Sequence, residues 1–518
     1  MSSSNKSMYK NVLIVFVFTF LAKGIVFVRE MQMANIFGAT DITDAYNMAT
    51  QITTMITEVF ATAITSCFIP ILGKVVSSVE IGDDLERKKY FNNLASLMII
   101  SIFLISLFCF VGTELFRDRL VSLLAPGFSG EKRILAAELS QISLIALLFL
   151  PLICILNGVL SIHEQFSKVS WATLFLNIPP VIYLFIGKEI TGFIYCIILG
   201  YAVEAVFLLI CAIQSGYRFK VYLNYRDKHF VEFLSMLGPV LLGLGAKEIN
   251  TLVDRIMAST LNSGELSLYN YASKLENMTH LILSTCFINV LFVVISKLKK
   301  DSSEFRDTVT DTGLKMLVLI VPVSGIMIAL SDCIINIIYE RGMFTFEDTK
   351  VCAEVLMILS AGVIIYAFRD LLNRIFYSTN DTKTPTIASI WTIVLNIIGN
   401  LVLVRLLGMN GLAIASVGSA CFTCGYLVKK IRTEVNGIFG SSFVLELSKV
   451  FISGIIMAGT LFGIKLFLNY FQYSFIIRLL LLVVLCGVGI VEYFVLLNVL
   501  KSSTAKDTMK WIIGKVRR

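Results

Sequence analysis

The sequence predicts an all-α integral membrane protein of about fourteen transmembrane helices, since its apolar windows reach the ~20 residues needed to cross a bilayer core. Three observations carry that expectation. The 518 residues are 57% hydrophobic and only 15% charged, with a mean hydropathy of +0.82, whereas soluble domains are roughly 45–50% apolar and about 25% charged. Apolar windows recur along nearly the whole chain, and no stretch between them is long enough for a soluble core. The net charge of +8 gathers in short loops and at the C-terminus, which is a positive-inside pattern and not a nucleic-acid footprint.

Taken in order, the expected spans are 11–36, 44–72, 90–113, 136–162, 170–187, 191–213, 233–257, 266–296, 308–333, 351–378, 385–406, 410–429, 448–470 and 474–499. The first ten residues are polar and basic with no small-residue cleavage site after them, so the first span is expected to be retained. Lys74, Arg87, Lys88 and Lys89 follow span 2, and Arg218, Lys220, Arg226 and Lys228 follow span 6. Lys297, Lys299, Lys300 and Arg306 follow span 8, Lys429, Lys430 and Arg432 follow span 12, and Lys506, Lys510, Lys515, Arg517 and Arg518 end the chain. These loops share one side if the N-terminus is cytoplasmic, and an even number of spans returns the C-terminus to that side, as expected of an inner-membrane protein.

The chain repeats itself. Tyr46-Asn47-Met48-Ala49 matches Tyr269-Asn270-Tyr271-Ala272, and Ser66-Cys67-Phe68-Ile69 matches Thr285-Cys286-Phe287-Ile288. Ala137-Glu138-Leu139 matches Ala353-Glu354-Val355, and Leu156-Asn157 matches Leu372-Asn373. The matches keep their order at a separation that, by subtraction, stays between 216 and 223 residues. Six spans per unit is an even number, so both units enter the membrane the same way. That is a parallel pseudo-repeat of two six-helix lobes, a transporter plan with the substrate path between the halves. The expected division is 1–230 for spans 1–6, 231–435 for spans 7–12, and 436–518 for spans 13–14 with a basic tail.

Ionisable residues inside spans are expensive, at about 2.5–3.5 kcal/mol on insertion scales. Span 1 carries Lys23, Arg29 and Glu30; span 2 carries Asp44 and Glu58. Span 7 carries Lys247, Glu248, Asp254 and Arg255, span 8 carries Lys274 and Glu276, and span 10 carries Arg369, Asp370 and Arg374. They either line a hydrated cationic cavity or form interhelical pairs with snorkelling ends. A cationic cavity suits a phosphate-bearing substrate, and burial in the membrane suits a lipid part. Asn396 and Asn400 lie one turn apart on span 11, Ser416 lies on span 12 and Asp254 on span 7. Those oxygens either coordinate a small hard cation or make ordinary helix–helix hydrogen bonds.

No chemistry beyond transport is called for. His163, His229 and His280 read as isolated, and the 11 cysteines show neither zinc nor disulfide spacing. A phosphate loop, a nucleophile elbow and an HExxH are all missing from the sequence. The expectation is a protein that is not an enzyme and has no cofactor apart from a coupling cation.

Several stretches resemble the MurJ (MviN) family of lipid II flippases, within the multidrug/oligosaccharidyl-lipid/polysaccharide exporter superfamily. They are Phe27-Val28-Arg29, Ile36-Phe37-Gly38-Ala39 and Thr43-Asp44-Ala45, then Phe68-Ile69-Pro70-Ile71-Leu72 and Leu124-Ala125-Pro126-Gly127-Phe128. The second half adds Arg341-Gly342, Phe344-Thr345, Phe376-Tyr377, Asp381-Thr382-Lys383-Thr384-Pro385 and Gly411-Leu412-Ala413. The resemblance implies alternating access that carries an undecaprenyl-pyrophosphate-linked peptidoglycan precursor to the outer leaflet. Its partners would be the lipid-linked oligosaccharide, membrane lipids and cell-wall synthesis proteins, with no nucleic acid.

The resemblance also implies that Arg29, Lys23 and Lys274 meet the pyrophosphate, that Asp44 is the family's acidic residue in span 2, and that Asp254, Asn396, Asn400 and Ser416 form its sodium site. Lys23 and Lys274 stand where the family usually has Arg, which keeps the charge but loses the bidentate fork. An arginine usual in span 2 falls here near Ile56 or Thr57. Those departures leave an exporter of another lipid-linked oligosaccharide as the alternative. A drug/cation antiporter fits less well, because its cavity would be acidic or apolar.

Overall fold

The computed structural model describes residues 3–77, 83–296, 298–300, 302–379 and 381–508. Side chains are described for these except 3–16, 19, 77, 242–243, 245–247, 249–250, 284–287, 289–290 and 292–293. Lys247, Lys297 and the basic residues of the tail from Lys510 onward therefore lie outside the described residues.

Helices account for nearly all of the described chain, and no strand occurs among the described residues. They are α1 (Ser3–Phe37), α2 (Asp41–Ser77), α3 (Asp84–Leu115), α4 (Arg117–Leu124), α5 (Gly130–Leu144), α6 (Leu150–Ile162), α7 (Phe166–Ile186), α8 (Ile190–Gln214) and α9 (Lys228–Ser259). Next come α10 (Glu265–Ile295), α11 (Ser303–Ala329), α12 (Ser331–Tyr339), α13 (Phe346–Ser378), α14 (Lys383–Leu407), α15 (Met409–Glu434), α16 (Ser441–Phe467) and α17 (Phe475–Val499). Among the described residues, 11 helices are long and apolar enough to cross a membrane. The helices α1, α9 and α10, of 35, 32 and 31 residues, fall outside that set. These three carry most of the ionisable residues singled out above.

Local chemistry sets the boundaries. Asp83 accepts from the amides of Leu85 and Glu86 and starts α3, and Asp227 caps α9 in the same way. Thr345 and Asp348 form a capping box, so α13 begins at Phe346, ahead of the expected 351. The expected span 136–162 lies inside one candidate span, Gly130–Ile162, whose α-helix is interrupted. A short 3-10 turn, Ile145–Leu148, separates α5 from α6. Pro151 has no N–H for the Leu147 carbonyl, and its ring crowds the preceding turn, so the hydrogen-bond ladder tightens there. The connection between α14 and α15 is one residue, Gly408, whose φ of +55° suits glycine.

The chain divides into two compact units, Met1–Gly264 and Glu265–Arg518. In the first, α2 packs against α5, α6 and α9, while α7 packs against α1 and α8. Phe68, Leu94, Leu156, Leu160 and Phe233 are fully buried in its core. Gly158 faces the Phe68 ring so closely that a Cβ would collide with it. The helix α9, counted with the second repeat on sequence, packs here against α2, α3 and α4. In the second unit, α13 is central, packing against α10, α11, α12 and α15. The helices α16 and α17 complete a separate core on α11 and α12 around Leu330, Cys333, Met457, Leu461 and Tyr493.

Candidate functional site

In the first unit, Arg29 lies on α1 and its Nη2 is 3.1 Å from Oε1 of Glu30. Its Nη1 donates to Oδ1 of Asn177 on α7 at 3.4 Å. The Arg29 side chain is 21% exposed and Glu30 is 4% exposed, so the guanidinium is held in place by a buried carboxylate. Lys23 on α1 and Glu58 on α2 are both exposed, although each sits well inside a long helix.

Asp44 has a different setting. It is 1% exposed, and its Oδ2 accepts from the Gly264 amide at 2.8 Å and from Lys132 Nζ at 2.6 Å. Lys132 also pairs with Asp41 at 2.7 Å and lies over the Phe128 ring at 4.4 Å. Gly264 has a φ of +82°, which lets its N–H turn toward the carboxylate. Asp44 thus ties the start of α2 to α5 and to the residues after α9.

In the second unit, Asn396 and Asn400 on α14 are fully buried. Asn396 Nδ2 donates to Ser416 Oγ on α15 at 3.1 Å, and Asn400 Nδ2 donates to Asn396 Oδ1 at 3.0 Å. Gly399 lets α14 approach Ala415 of α15 closely at that level. Three members of the expected cation set are therefore in direct contact. Their amide and hydroxyl oxygens are the hard donors that sodium prefers. Asp254 lies on α9 in the first unit and is half-buried. Lys274 is half-buried on α10.

The structure adds residues that spacing did not single out. Asn177 steadies Arg29, and Lys132 joins Asp41 to Asp44. His280, read as isolated on sequence, has Nε2 at 3.3 Å from Oδ2 of Asp370 on α13. Each of these pairs is separated by about 90 residues or more, beyond the reach of any local pattern. The one available signal was residue type, a polar or ionisable group in an apolar helix.

This arrangement of packed helices is the fold of polytopic membrane transporters. A solved structure described as "Inward-facing conformation of a multidrug resistance MATE family transporter of the MOP superfamily" matches with a TM-score of 0.67 at 12% identity, covering 80% of this chain and 94% of that one. Another, described as "Lipid II flippase MurJ, inward closed conformation", matches with a TM-score of 0.74 at 22% identity, covering 92% and 98%. A relative from Rickettsia prowazekii (strain Madrid E), named "Probable lipid II flippase MurJ", is 27% identical over 94% of this chain and 97% of its own length. The family model described as "Lipid II flippase MurJ" matches residues 33–482, and the chain belongs to that family.

Proposed function

We propose that this protein flips undecaprenyl-pyrophosphate-linked peptidoglycan precursor, lipid II, from the inner to the outer leaflet of the bacterial inner membrane. The observation that carries the reading is the family match over residues 33–482. In this reading the protein transports and does not catalyse, and both termini face the cytoplasm. Lys23, Arg29 and Lys274 receive the pyrophosphate of a cargo whose lipid tail stays in the bilayer. An exposed Lys23 in the body of α1 is expensive against lipid and cheap against water, which supports a hydrated path. Glu30 and Asn177 hold the Arg29 fork so that less side-chain entropy is lost when a phosphate binds. Asp44, bound by Lys132 and the Gly264 amide, sets the position of α2 within that path.

Alternating access then releases the head group outside. Asp254, Asn396, Asn400 and Ser416 take a sodium ion whose inward movement resets the protein. One charge crossing 100 mV supplies about 2.3 kcal/mol. An exporter of a different lipid-linked glycan is the second reading, favoured by lysine at positions 23 and 274.

The test is complementation of a cell depleted of its own lipid II flippase. Wild type is expected to restore growth, while Arg29→Ala and Lys274→Ala, at equal membrane levels, are not. Failure of well-expressed wild type moves the assignment to the second reading.

A further inference from the structure

The second unit holds an ionisable cluster that the flipping scheme does not use. Glu276 and His280 lie four residues apart on one face of α10, and α10 packs along α13. Glu276 is 5% exposed, and its Oε1 is buried without a hydrogen-bond partner. Opposite, on α13, Asp370 Oδ2 is 3.3 Å from His280 Nε2, and Asp370 Oδ1 is 3.5 Å from Arg369 Nη2. Tyr366 closes the group, with its ring 6.0 Å from the His280 ring and 5.3 Å from the Arg369 guanidinium. Both Arg369 and His280 act electrostatically on Glu276.

Other titratable groups lie on the same and neighbouring helices. On α15, Cys424 feels the charge of Arg369. On α11, Asp311 and Lys315 pair with each other at 2.6 Å. Lys274 lies two residues before Glu276 on α10, and Arg374 one turn after Asp370 on α13.

Charge counting then decides the chemistry. With neutral His280, Arg369 acts on both carboxylates, and Glu276 keeps an oxygen without a hydrogen-bond partner. A carboxylate so placed is expensive, and a single proton relieves it. That proton can sit on Glu276, making it neutral, or on His280, making a cation for Asp370 and Glu276. Glu276 and His280 are both placed to take it. The step is protonation alone: one O–H or N–H bond forms and no electrons are exchanged.

We propose that Glu276, His280 and Asp370 form a proton-binding site that couples transport to a proton gradient. The coupling rests on the transport reading above; the binding does not. The full-length protein is reconstituted in phosphatidylethanolamine/phosphatidylglycerol vesicles. Infrared difference spectra are recorded as the pH is stepped from ~8 to ~5, across the histidine range. Wild type is expected to gain a protonated-carboxyl band that Glu276→Gln lacks. His280→Gln is expected to move the band's midpoint to higher pH, since a positive neighbour is gone. Tryptophan-fluorescence melting checks that each variant is folded, and if Glu276→Gln is not, the His280→Gln shift decides.

In the same vesicles, a pH gradient is expected to speed flipping of fluorescent lipid II several-fold in wild type and not in Glu276→Gln. A band that survives in folded Glu276→Gln overturns the site. A wild-type flipping rate indifferent to the gradient overturns the coupling. The infrared arm needs no cargo, so its outcome does not depend on whether lipid II is the substrate.

Discussion

Arg29 illustrates how a single residue is prepared for its role. Its guanidinium would be costly alone in a membrane-crossing helix, and Glu30 at 3.1 Å offsets that cost. Removing Glu30 leaves the charge with Asn177 as its remaining hydrogen-bond acceptor. Glu30→Ala is therefore expected to destabilise the protein by up to ~3 kcal/mol. Replacing both residues by leucine should cost less than Glu30→Ala, because no charge is then left behind. Thermal unfolding in detergent, read as a double-mutant cycle, checks the sign of the coupling. The residue types were legible in the sequence, since Lys23, Arg29, Glu30 and Glu276 announce themselves by charge in apolar segments. Their partners were not: Asn177 is 148 residues from Arg29, and only packing of α1 on α7 brings them together.

At the scale of elements, the turn before α14 shows a pH-dependent start. Burial works to raise the Asp381 carboxyl, but bonds from Thr384 and Lys383, with Lys300 nearby, outweigh it and hold it below the usual aspartate range. Its Oδ1 accepts from the amides of Lys383 at 2.9 Å and Thr384 at 3.0 Å. A depressed carboxyl stabilises above its unfolded value, about pH 4, and loses that contribution as the pH falls through its folded value. Asp381→Ala should cost about 1 kcal/mol near neutral pH. The difference from wild type should shrink in acid, as melting curves across pH would record. The start of this helix was readable from Asp381 and Pro385. The break between α5 and α6 was passed over, because the hydropathy of 136–162 continues unbroken through Pro151.

For the whole molecule, the energetic question is how the cycle is driven. If the Asn396, Asn400 and Ser416 oxygens help to bind sodium, replacing sodium by choline should slow flipping of lipid II in vesicles. Asn396→Ala should flip as slowly with sodium as wild type does without it. A sodium response that persists in Asn396→Ala would place the ion elsewhere. Sodium and pH can be varied independently, so this arm and the Glu276 arm report on separate helices, α14 and α10.

Hydropathy, basic loops and repeated motifs determined the membrane-helical class, most of the spans and the family, because each depends on residue type over short windows. The repeat in order, from Tyr46-Asn47 and Tyr269-Asn270 onward, also belongs to the sequence. Tertiary structure alone decided that α9 packs with the first unit, that Lys132 clasps Asp44, and that His280 meets Asp370. Those outcomes depend on which faces of distant helices meet, and one side chain finds another only after many apolar contacts have fixed that choice.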